Sequence, residues 1–218
     1  MITNRIYAAD VSVLSDKELF YRLYREMPIY RQQKIDRYRF DKDKYLSLGA
    51  GVLLAKAFLD AGIPYSDIYC DNNGKPLHNG NICFNLSHSE ELAVCAVSDK
   101  PVGIDAEKVR SFSESLAERV FTDKELDICS RYEDKERIYT RMWTAKESVM
   151  KKTGGGLSVG AKNISLDIIE ERPVSASVSG IEGEFILHNF SDGDYEITVC
   201  SEYENSAQMV FFDLRNIL

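Results

Sequence analysis

The sequence predicts an α+β fold, with helices and short strands in both halves of the chain. Residues 81–87 alternate apolar and polar side chains, which is the period of a half-buried strand. The segments 15–18 and 122–125 have the spacing of a capping box, in which a hydroxyl residue and a glutamate start a helix together. Consecutive glycines at 154–156 end the longest predicted helix. No convincing internal repeat is present, so these local patterns carry the assignment.

The first half combines strands with one buried helix. The predicted elements are a strand over 5–13, a helix after Ser15, a charged segment over 29–47, a helix over 48–59, and strands over 81–87 and 92–98. The helix over 48–59 is almost wholly apolar, as buried helices are, and Gly62 and Pro64 end it. The cluster 71–76 predicts a turn. The run 92–98 is apolar and bounded by charges, which predicts a buried strand.

The second half begins with a strand and then contains two helices. Its predicted elements are a strand over 102–107, helices starting at 122 and covering 136–152, and short strands over 163–168, 184–187, 195–200 and 209–213. Asp99, Lys100 and Pro101 interrupt two apolar stretches. We therefore place a boundary between the halves near residues 100–103.

The bulk composition is that of a globular protein and argues against nucleic-acid binding. Of the 218 residues, 44% are hydrophobic and 28% are charged, so the chain can bury a core and disorder is not expected. The net charge of −8 repels polyanions, so we expect no DNA or RNA partner. A local basic pocket for a smaller anion is compatible with this charge.

The cysteines and the apolar runs indicate the compartment. The five cysteines form no C-x-x-C pair, which argues against a zinc ribbon or a secreted disulfide framework. Cys83 and Cys95 lie in apolar runs and are interpreted as core residues. The N-terminus lacks signal-peptide features, and no apolar run reaches the ~20 residues that span a bilayer. We expect a cytoplasmic protein without a membrane partner.

Two acidic residues on a predicted strand are candidate metal ligands. Asp105 and Glu107 are two residues apart, so both side chains project from one face of the strand, while Val102 and Ile104 project from the other. Magnesium is often held by one or two carboxylates together with substrate phosphates. The alternative interpretation is a solvated sheet face, because two acids at this spacing are common on strands.

A stripe on the helix over 136–152 carries a further candidate set. Trp143, Glu147 and Lys151 are four residues apart and share one helix face. Glu147 and Lys151 alone could be an ordinary surface ion pair. Lys146, Lys151 and Lys152 form a cationic segment of seven residues just before the glycines. The glycines could let a bulky ligand approach closely, or they could simply end the helix.

The strand over 81–87 is followed by polar groups suited to phosphate. Ser87 and Ser89 can donate to phosphate oxygens, and His88 can donate to a phosphate or a carboxylate. A structural histidine is the alternative. No G-x-S-x-G elbow is present, and adjacent side chains point to opposite sides of an extended backbone, so we do not expect a serine hydrolase.

These motifs, in this order, resemble the Sfp-type 4′-phosphopantetheinyl transferase superfamily. The matching segments are Gly74-Lys75-Pro76, Asn85-Leu86-Ser87-His88-Ser89, Val102-Gly103-Ile104-Asp105-Ala106-Glu107-Lys108, Phe121-Thr122-Asp123-Lys124-Glu125-Leu126 and Trp143-Thr144-Ala145-Lys146-Glu147-Ser148-Val149-Met150-Lys151, followed by Gly156-Leu157. Each motif alone is weak, and the ordered set is specific. The likeness covers residues 74–157, with a looser one over 34–54. Ala106 and Ser148 depart from the family pattern without removing a ligand.

The resemblance implies a pseudo-duplicated α+β fold of two halves, with the active site at their interface. It assigns coenzyme A nucleotide contacts to an N-terminal half, 1–101, and the metal site and catalytic helix to a C-terminal half, 102–218. The implied reaction transfers the 4′-phosphopantetheine of coenzyme A to a serine of an apo acyl or peptidyl carrier protein. The implied metal is Mg²⁺, with Mn²⁺ as an alternative, and the two-half length implies a monomer.

The resemblance also assigns metal and catalytic roles. Asp105, Glu107 and Glu147 would hold the metal ion against the pyrophosphate of coenzyme A. Glu147 would also help to deprotonate the acceptor serine. Lys151 would stabilise charge on the leaving pyrophosphate, and His88 would bond a phosphate.

A second set of residues is implied in coenzyme A binding. These residues are Lys44, Lys75, Ser87, His88 and Lys151. Lys44 is the candidate for the 3′-phosphate and Lys42 is its alternative. A solvated charged helix is the competing interpretation of residues 31–44.

Two other functions are compatible with the same residues. A magnesium phosphohydrolase could use the carboxylates to cleave a nucleotide pyrophosphate with water. A non-catalytic protein could keep the fold and bind carrier proteins, although such a protein has no need of three convergent acids. The sequence does not indicate which carrier protein is modified.

Overall fold

The computed structural model describes residues 4–65, 68–70, 76–80, 82–204 and 208–217, and it confirms a mixed fold of helices and strands. The strands are β1 (Arg5–Asp10), β2 (Ile68–Cys70), β3 (Pro76–His78), β4 (Cys83–Ser89), β5 (Leu92–Ser98), β6 (Gly103–Lys108), β7 (Ile164–Ile169), β8 (Arg172–Val178), β9 (Ile186–Asp192), β10 (Tyr195–Ser201) and β11 (Gln208–Phe211). The helices are α1 (Lys17–Glu26), α2 (Ile29–Asp36), α3 (Asp41–Ala61), α4 (Glu114–Val120), α5 (Asp123–Ser130) and α6 (Lys135–Thr153). Among these ranges, no helix has the length and apolar character needed to cross a membrane.

The first sheet has the strand order β11-β1-β5-β4, and α3 packs against it. β5 is buried along its whole length, because one face contacts α3 and the other contacts the second sheet. The predicted buried strand over 92–98 is therefore confirmed, and Cys95 is a core residue as predicted. Cys83 is only partly buried. α3 contains the predicted buried helix and ends at Gly62, which has a left-handed φ of 68°.

The helix start predicted at Ser15 is wrong by one residue, and the strand predicted over 5–13 is too long. Asp16 caps α1, because its Oδ1 accepts the backbone N–H of Glu18 at 2.9 Å. The Ser15 hydroxyl donates to the carbonyl of Ser12 at 2.8 Å, within a 3₁₀ turn that follows β1. Aspartate and serine cap helices about equally well, so the local sequence did not separate the two positions.

The second sheet has the order β6-β10-β9-β8-β7, and α6 packs against it. The capping box of α5 is confirmed: the Thr122 N–H donates to the Glu125 carboxylate at 2.8 Å, and the Glu125 N–H donates to the Thr122 hydroxyl at 3.3 Å. α6 ends at Gly154, with a φ of 74°, as the glycines predict. The sequence patterns do not predict β8 or α4.

The two sheets pack on one another through a shared apolar cluster. The first sheet contributes Ile6, Ala8, Leu92, Val94 and Ala96, and the second contributes Val102, Ile104, Ala106, Ile197 and Val199. This packing brings β4, β6 and α6 together. The chain then returns to the first sheet, where β11 pairs parallel to β1.

Candidate active site

An open pocket of about 330 Å³ lies where β4, β6 and α6 meet. Its lining residues are Leu86, Ser87, His88, Asp105, Glu107, Arg110, Trp143, Glu147 and Lys151. The structure thus brings together six of the candidate site residues from three separate motifs. Arg110, which lies 3.9 Å from Glu107 (Nη2 to Oε1), is a lining residue that the sequence patterns did not single out.

Asp105 is the most buried acid of the pocket. Its Oδ1 accepts hydrogen bonds from the Ser87 hydroxyl at 2.9 Å and from the Lys151 ammonium at 2.6 Å. Its Oδ2 is buried and has no hydrogen-bond partner. A buried carboxylate oxygen without a partner is costly, so this atom is suited to a ligand that supplies positive charge.

The negative charge of Asp105 affects the pKa of the other two acids, Glu107 and Glu147. Burial raises the pKa of Glu107 above its usual value, and the negative charge of Asp105 raises that pKa further. The pKa of Glu147 is raised in the same way, first by burial and then by Asp105. Mutual repulsion of this kind is relieved when a cation binds between carboxylates.

The donor chemistry of the pocket fits a hard cation such as magnesium. All three acids supply oxygen ligands, which magnesium prefers. As the side chains stand, the described part of the chain contains no group of three or more His, Cys, Asp or Glu residues close enough to hold a metal ion.

Lys151 is the central cation of the pocket. Besides Asp105 it contacts the Ser87 hydroxyl at 2.9 Å.

Burial lowers the pKa of His88, and the positive charges of Lys151 and Lys34 lower it further. A lowered pKa favours the neutral imidazole, which can donate one hydrogen bond to an anion.

The two other lysines of the cationic segment do not line this pocket. Lys146 is fully buried, pairs with Glu125 at 2.7 Å and donates to the carbonyl of Val120 at 3.1 Å. Lys152 donates to the carbonyl of Glu184 at 3.0 Å. On a helix, residues 146 and 152 face away from the stripe that carries 147 and 151.

The structure does not bring Lys42 or Lys44 into the pocket. Lys44 pairs with Asp41 at 3.2 Å, and Lys42 pairs with Glu90 at 2.6 Å. Lys75 lies outside the described residues. Lys34, on α2, is the N-terminal cation whose charge reaches His88. It lies within the charged segment, where no local pattern separates it from its neighbours.

Comparison with known proteins identifies the class. The family model of the 4′-phosphopantetheinyl transferase superfamily matches residues 101–200, which include β6, α6 and the acids of the pocket.

Individual relatives extend this match over most of the chain. The 4′-phosphopantetheinyl transferase gsp of Aneurinibacillus migulanus is 32% identical over 89% of this chain and 84% of its own length. A 4′-phosphopantetheinyl transferase of Bacillus subtilis is 32% identical over 79% of this chain and 81% of its own. The 4′-phosphopantetheinyl transferase psf-1 of Bacillus pumilus is 29% identical over 94% and 93%. This chain therefore belongs to the Sfp-type 4′-phosphopantetheinyl transferases and is a transferase enzyme.

Proposed function

We propose that this chain transfers the 4′-phosphopantetheine of coenzyme A to a serine of an apo acyl or peptidyl carrier protein, in a reaction that depends on magnesium. The observation that carries the proposal is the convergence of three acids, Lys151 and His88 in one pocket. Proteins similar to this chain over most of its length are 4′-phosphopantetheinyl transferases, which supports the same reaction here.

In this proposal the three acids form the metal-binding site. Asp105, Glu107 and Glu147 would hold the ion, with Asp105 offering its unpartnered Oδ2. Magnesium, when bound, neutralises charge on the pyrophosphate oxygens. Mn²⁺ is an alternative because it also favours oxygen ligands.

The remaining groups bind the nucleotide and handle the proton. Lys151 and His88 bind the phosphates. Glu147 accepts the proton of the acceptor serine, since its carboxylate lines the pocket beside Lys151. The serine oxygen bonds to the phosphorus that carries pantetheine, the bridging P–O bond breaks, and the nucleotide leaves with that oxygen.

We also propose that the halves 1–101 and 102–218 are duplicated relatives with the active site at their interface. Each half has a first strand, a long helix and then an antiparallel hairpin: β1, α3 and β4–β5 in one, β6, α6 and β9–β10 in the other. The order in the sheets also corresponds, β1-β5-β4 against β6-β10-β9. Because both halves line the pocket, we propose that a monomer suffices.

We propose the cellular compartment from the state of the cysteines. Cys95, Cys129 and Cys200 are buried free thiols. Free thiols are typical of a reducing compartment, which supports the cytoplasm.

Intact-mass spectrometry of apo carrier proteins tests the function. The chain is incubated with coenzyme A, magnesium and an apo fatty-acid, polyketide or peptide carrier, with a chelator in parallel. A gain of one phosphopantetheine mass that the chelator abolishes supports the proposal. Coenzyme A cleaved without a carrier supports a phosphohydrolase, and carrier binding without any mass gain supports a binding protein.

A matched pair of variants tests the site. Glu147→Gln is expected to lose transfer activity, since the amide can neither accept the proton nor add negative charge to the metal-binding site. Glu136→Gln, on the exposed first turn of the same helix, is expected to keep it. Full activity of Glu147→Gln would contradict the assignment of this pocket.

A further inference from the structure

Within the part of the chain that the structure describes, the edge of β6 that faces β4 pairs with no other strand. β6 is the edge strand of the second sheet and pairs on one side with β10. On its other side lies β4, which belongs to the first sheet. The backbone N–H groups on that side need other acceptors, because a buried N–H without a partner is destabilising.

Side chains of β4 provide these acceptors at every second residue. Asn85 Oδ1 accepts the N–H of Ile104 at 2.9 Å. The Ser89 hydroxyl accepts the N–H of Lys108 at 3.1 Å. Between them, the Ser87 hydroxyl lies 3.4 Å from the N of Ala106. The three contacts repeat at the two-residue period of both strands, so they fix the register between the two sheets.

Two of these side chains also hold the candidate metal ligands. A hydroxyl can accept one hydrogen bond while it donates another. The Ser87 hydroxyl donates to Asp105 Oδ1 at 2.9 Å, and the Ser89 hydroxyl donates to Glu107 Oε2 at 3.1 Å. Each serine hydroxyl therefore contacts both a backbone N–H of β6 and the side chain of the acid that precedes that residue.

We propose that Ser89 is a positioning residue that orients Glu107 for cation binding, and that Asn85 supports it by fixing the register of β6. This rests on the proposed function, in which Glu107 is a metal ligand. The sequence alone suggests phosphate contact for Ser89, but its hydroxyl proton is already directed to Glu107. Groups that hydrogen-bond to metal ligands tune both the orientation and the affinity of a site.

Manganese binding measured without coenzyme A or carrier tests this role directly. Mn²⁺ titration followed by electron paramagnetic resonance is carried out on Ser89→Ala, Ser89→Thr and the unmodified protein. We expect Ser89→Ala to weaken Mn²⁺ binding about tenfold, the typical effect of losing such a partner. Ser89→Thr keeps a hydroxyl and is expected to restore binding. Ser175→Ala is the matched control, because it removes a 2.9 Å bond to Asp167 at a site remote in the sheet.

Two further readouts separate this proposal from the proposed function. Asp105→Asn is expected to abolish Mn²⁺ binding, and hydrogen exchange at the Lys108 amide is expected to be faster in Ser89→Ala. If Asp105→Asn abolishes binding while Ser89→Ala binds Mn²⁺ normally, the positioning role is wrong and the metal site stands. If the unmodified protein binds no Mn²⁺, or Asp105→Asn binds it normally, the metal site itself is wrong and the positioning role falls with it.

Discussion

At the scale of single residues, the two carboxylate oxygens of Asp105 differ in their hydrogen-bond partners. Oδ1 is held by Ser87 and Lys151, whereas Oδ2 is buried without a partner. A buried charge is tolerated only when another charge or several hydrogen bonds compensate it. Lys151 supplies that compensation in the structure, so a metal ion bound as proposed would compete with the ammonium for the same carboxylate.

Replacing Lys151 should therefore separate metal binding from transfer. We expect Lys151→Met to bind Mn²⁺ alone about tenfold more tightly, equivalent to ~1.4 kcal/mol, because the competing charge is gone. Transfer activity should fall, since the phosphates lose their cation. Isothermal titration and the mass assay measure the two effects. Lys135→Met, at the exposed start of α6, is the control, and unchanged Mn²⁺ affinity in Lys151→Met would contradict the competition.

The pair of Lys146 and Glu125 anchors α6 on the side that faces away from the pocket. Lys146 contacts Glu125 at 2.7 Å with both side chains essentially fully buried. We expect Lys146→Met to lower the free energy of unfolding by roughly 3–5 kcal/mol, because Glu125 keeps an uncompensated buried charge. Denaturant unfolding measures this change.

A double variant tests the cause of that loss. Lys146→Met combined with Glu125→Gln removes the charge but keeps an oxygen that can accept the N–H groups of Thr122 and Leu166. Part of the stability should return. A double variant less stable than Lys146→Met would show that the unpaired charge is not the cause.

At the scale of elements, β6 approaches α6 closely at Gly103. A Cβ built on Gly103 would lie 2.0 Å from the carbonyl oxygen of Ser148 and 2.5 Å from the backbone N of Lys152. Backbone atoms of a helix cannot move aside singly, so only glycine allows this contact. The contact keeps Asp105 and Glu107 within reach of Glu147.

Gly103→Ala should consequently push β6 away from α6. We expect a loss of stability of about 1–3 kcal/mol, the usual cost of overpacking, and a larger loss of transfer activity because the acids separate. Gly51→Ala is a useful control, because the atoms nearest to its added carbon belong to the flexible side chains of Met27 and Arg31, at 3.1–3.3 Å. Wild-type stability and activity in Gly103→Ala would refute the close approach.

The β7–β8 connection contains a residue in an unfavourable conformation. Glu170 is exposed and has a φ of +56°, which costs L-residues other than asparagine and aspartate about 1 kcal/mol or more. Glu170→Asn should raise the free energy of unfolding by ~0.5–1 kcal/mol. Thermal unfolding checks this, with Glu182→Asn as an exposed control. A lower melting temperature would argue against the left-handed geometry.

Elements with strong local signals were predictable from the sequence, and those without were not. The capping box at Thr122, the apolar run of β5 and the glycines after α6 all have local causes, and each prediction is confirmed. β8, with the sequence RPVSASV, has no strong alternation, and α4 has only seven residues. Tertiary packing, not local preference, decides such segments.

The candidate site could be predicted as a set of residues but not as an arrangement. The family motifs identified His88, Asp105, Glu107, Glu147 and Lys151, which line one pocket. The hydrogen bonds from Ser89, the inward direction of Lys146 and the nearness of Lys34 to His88 depend on contacts between distant segments. No local pattern in the sequence encodes those contacts.

At the scale of the whole molecule, residues from the end of the described chain complete the first core. β11 pairs with β1, and Leu214 and Ile217 are buried among residues of α1 and α3. We expect Leu214→Ala to cost about 2–5 kcal/mol, as large-to-small changes in cores do. Val210→Ala, at a position 46% exposed, should cost far less. Chemical denaturation compares the two, and equal effects would contradict the packing of this segment.

The return of β11 to β1 also has a consequence for how the protein is made. Arg5 pairs with Gln208, so the first strand acquires its parallel neighbour only after some two hundred further residues have been added. During synthesis the edge of β1 that later pairs with β11 is exposed until residue 208 has been added. Unpaired strand edges of this kind promote aggregation of incompletely folded chains. Ribosome-bound fragments that stop before residue 208 should therefore depend on chaperones more strongly than the released chain.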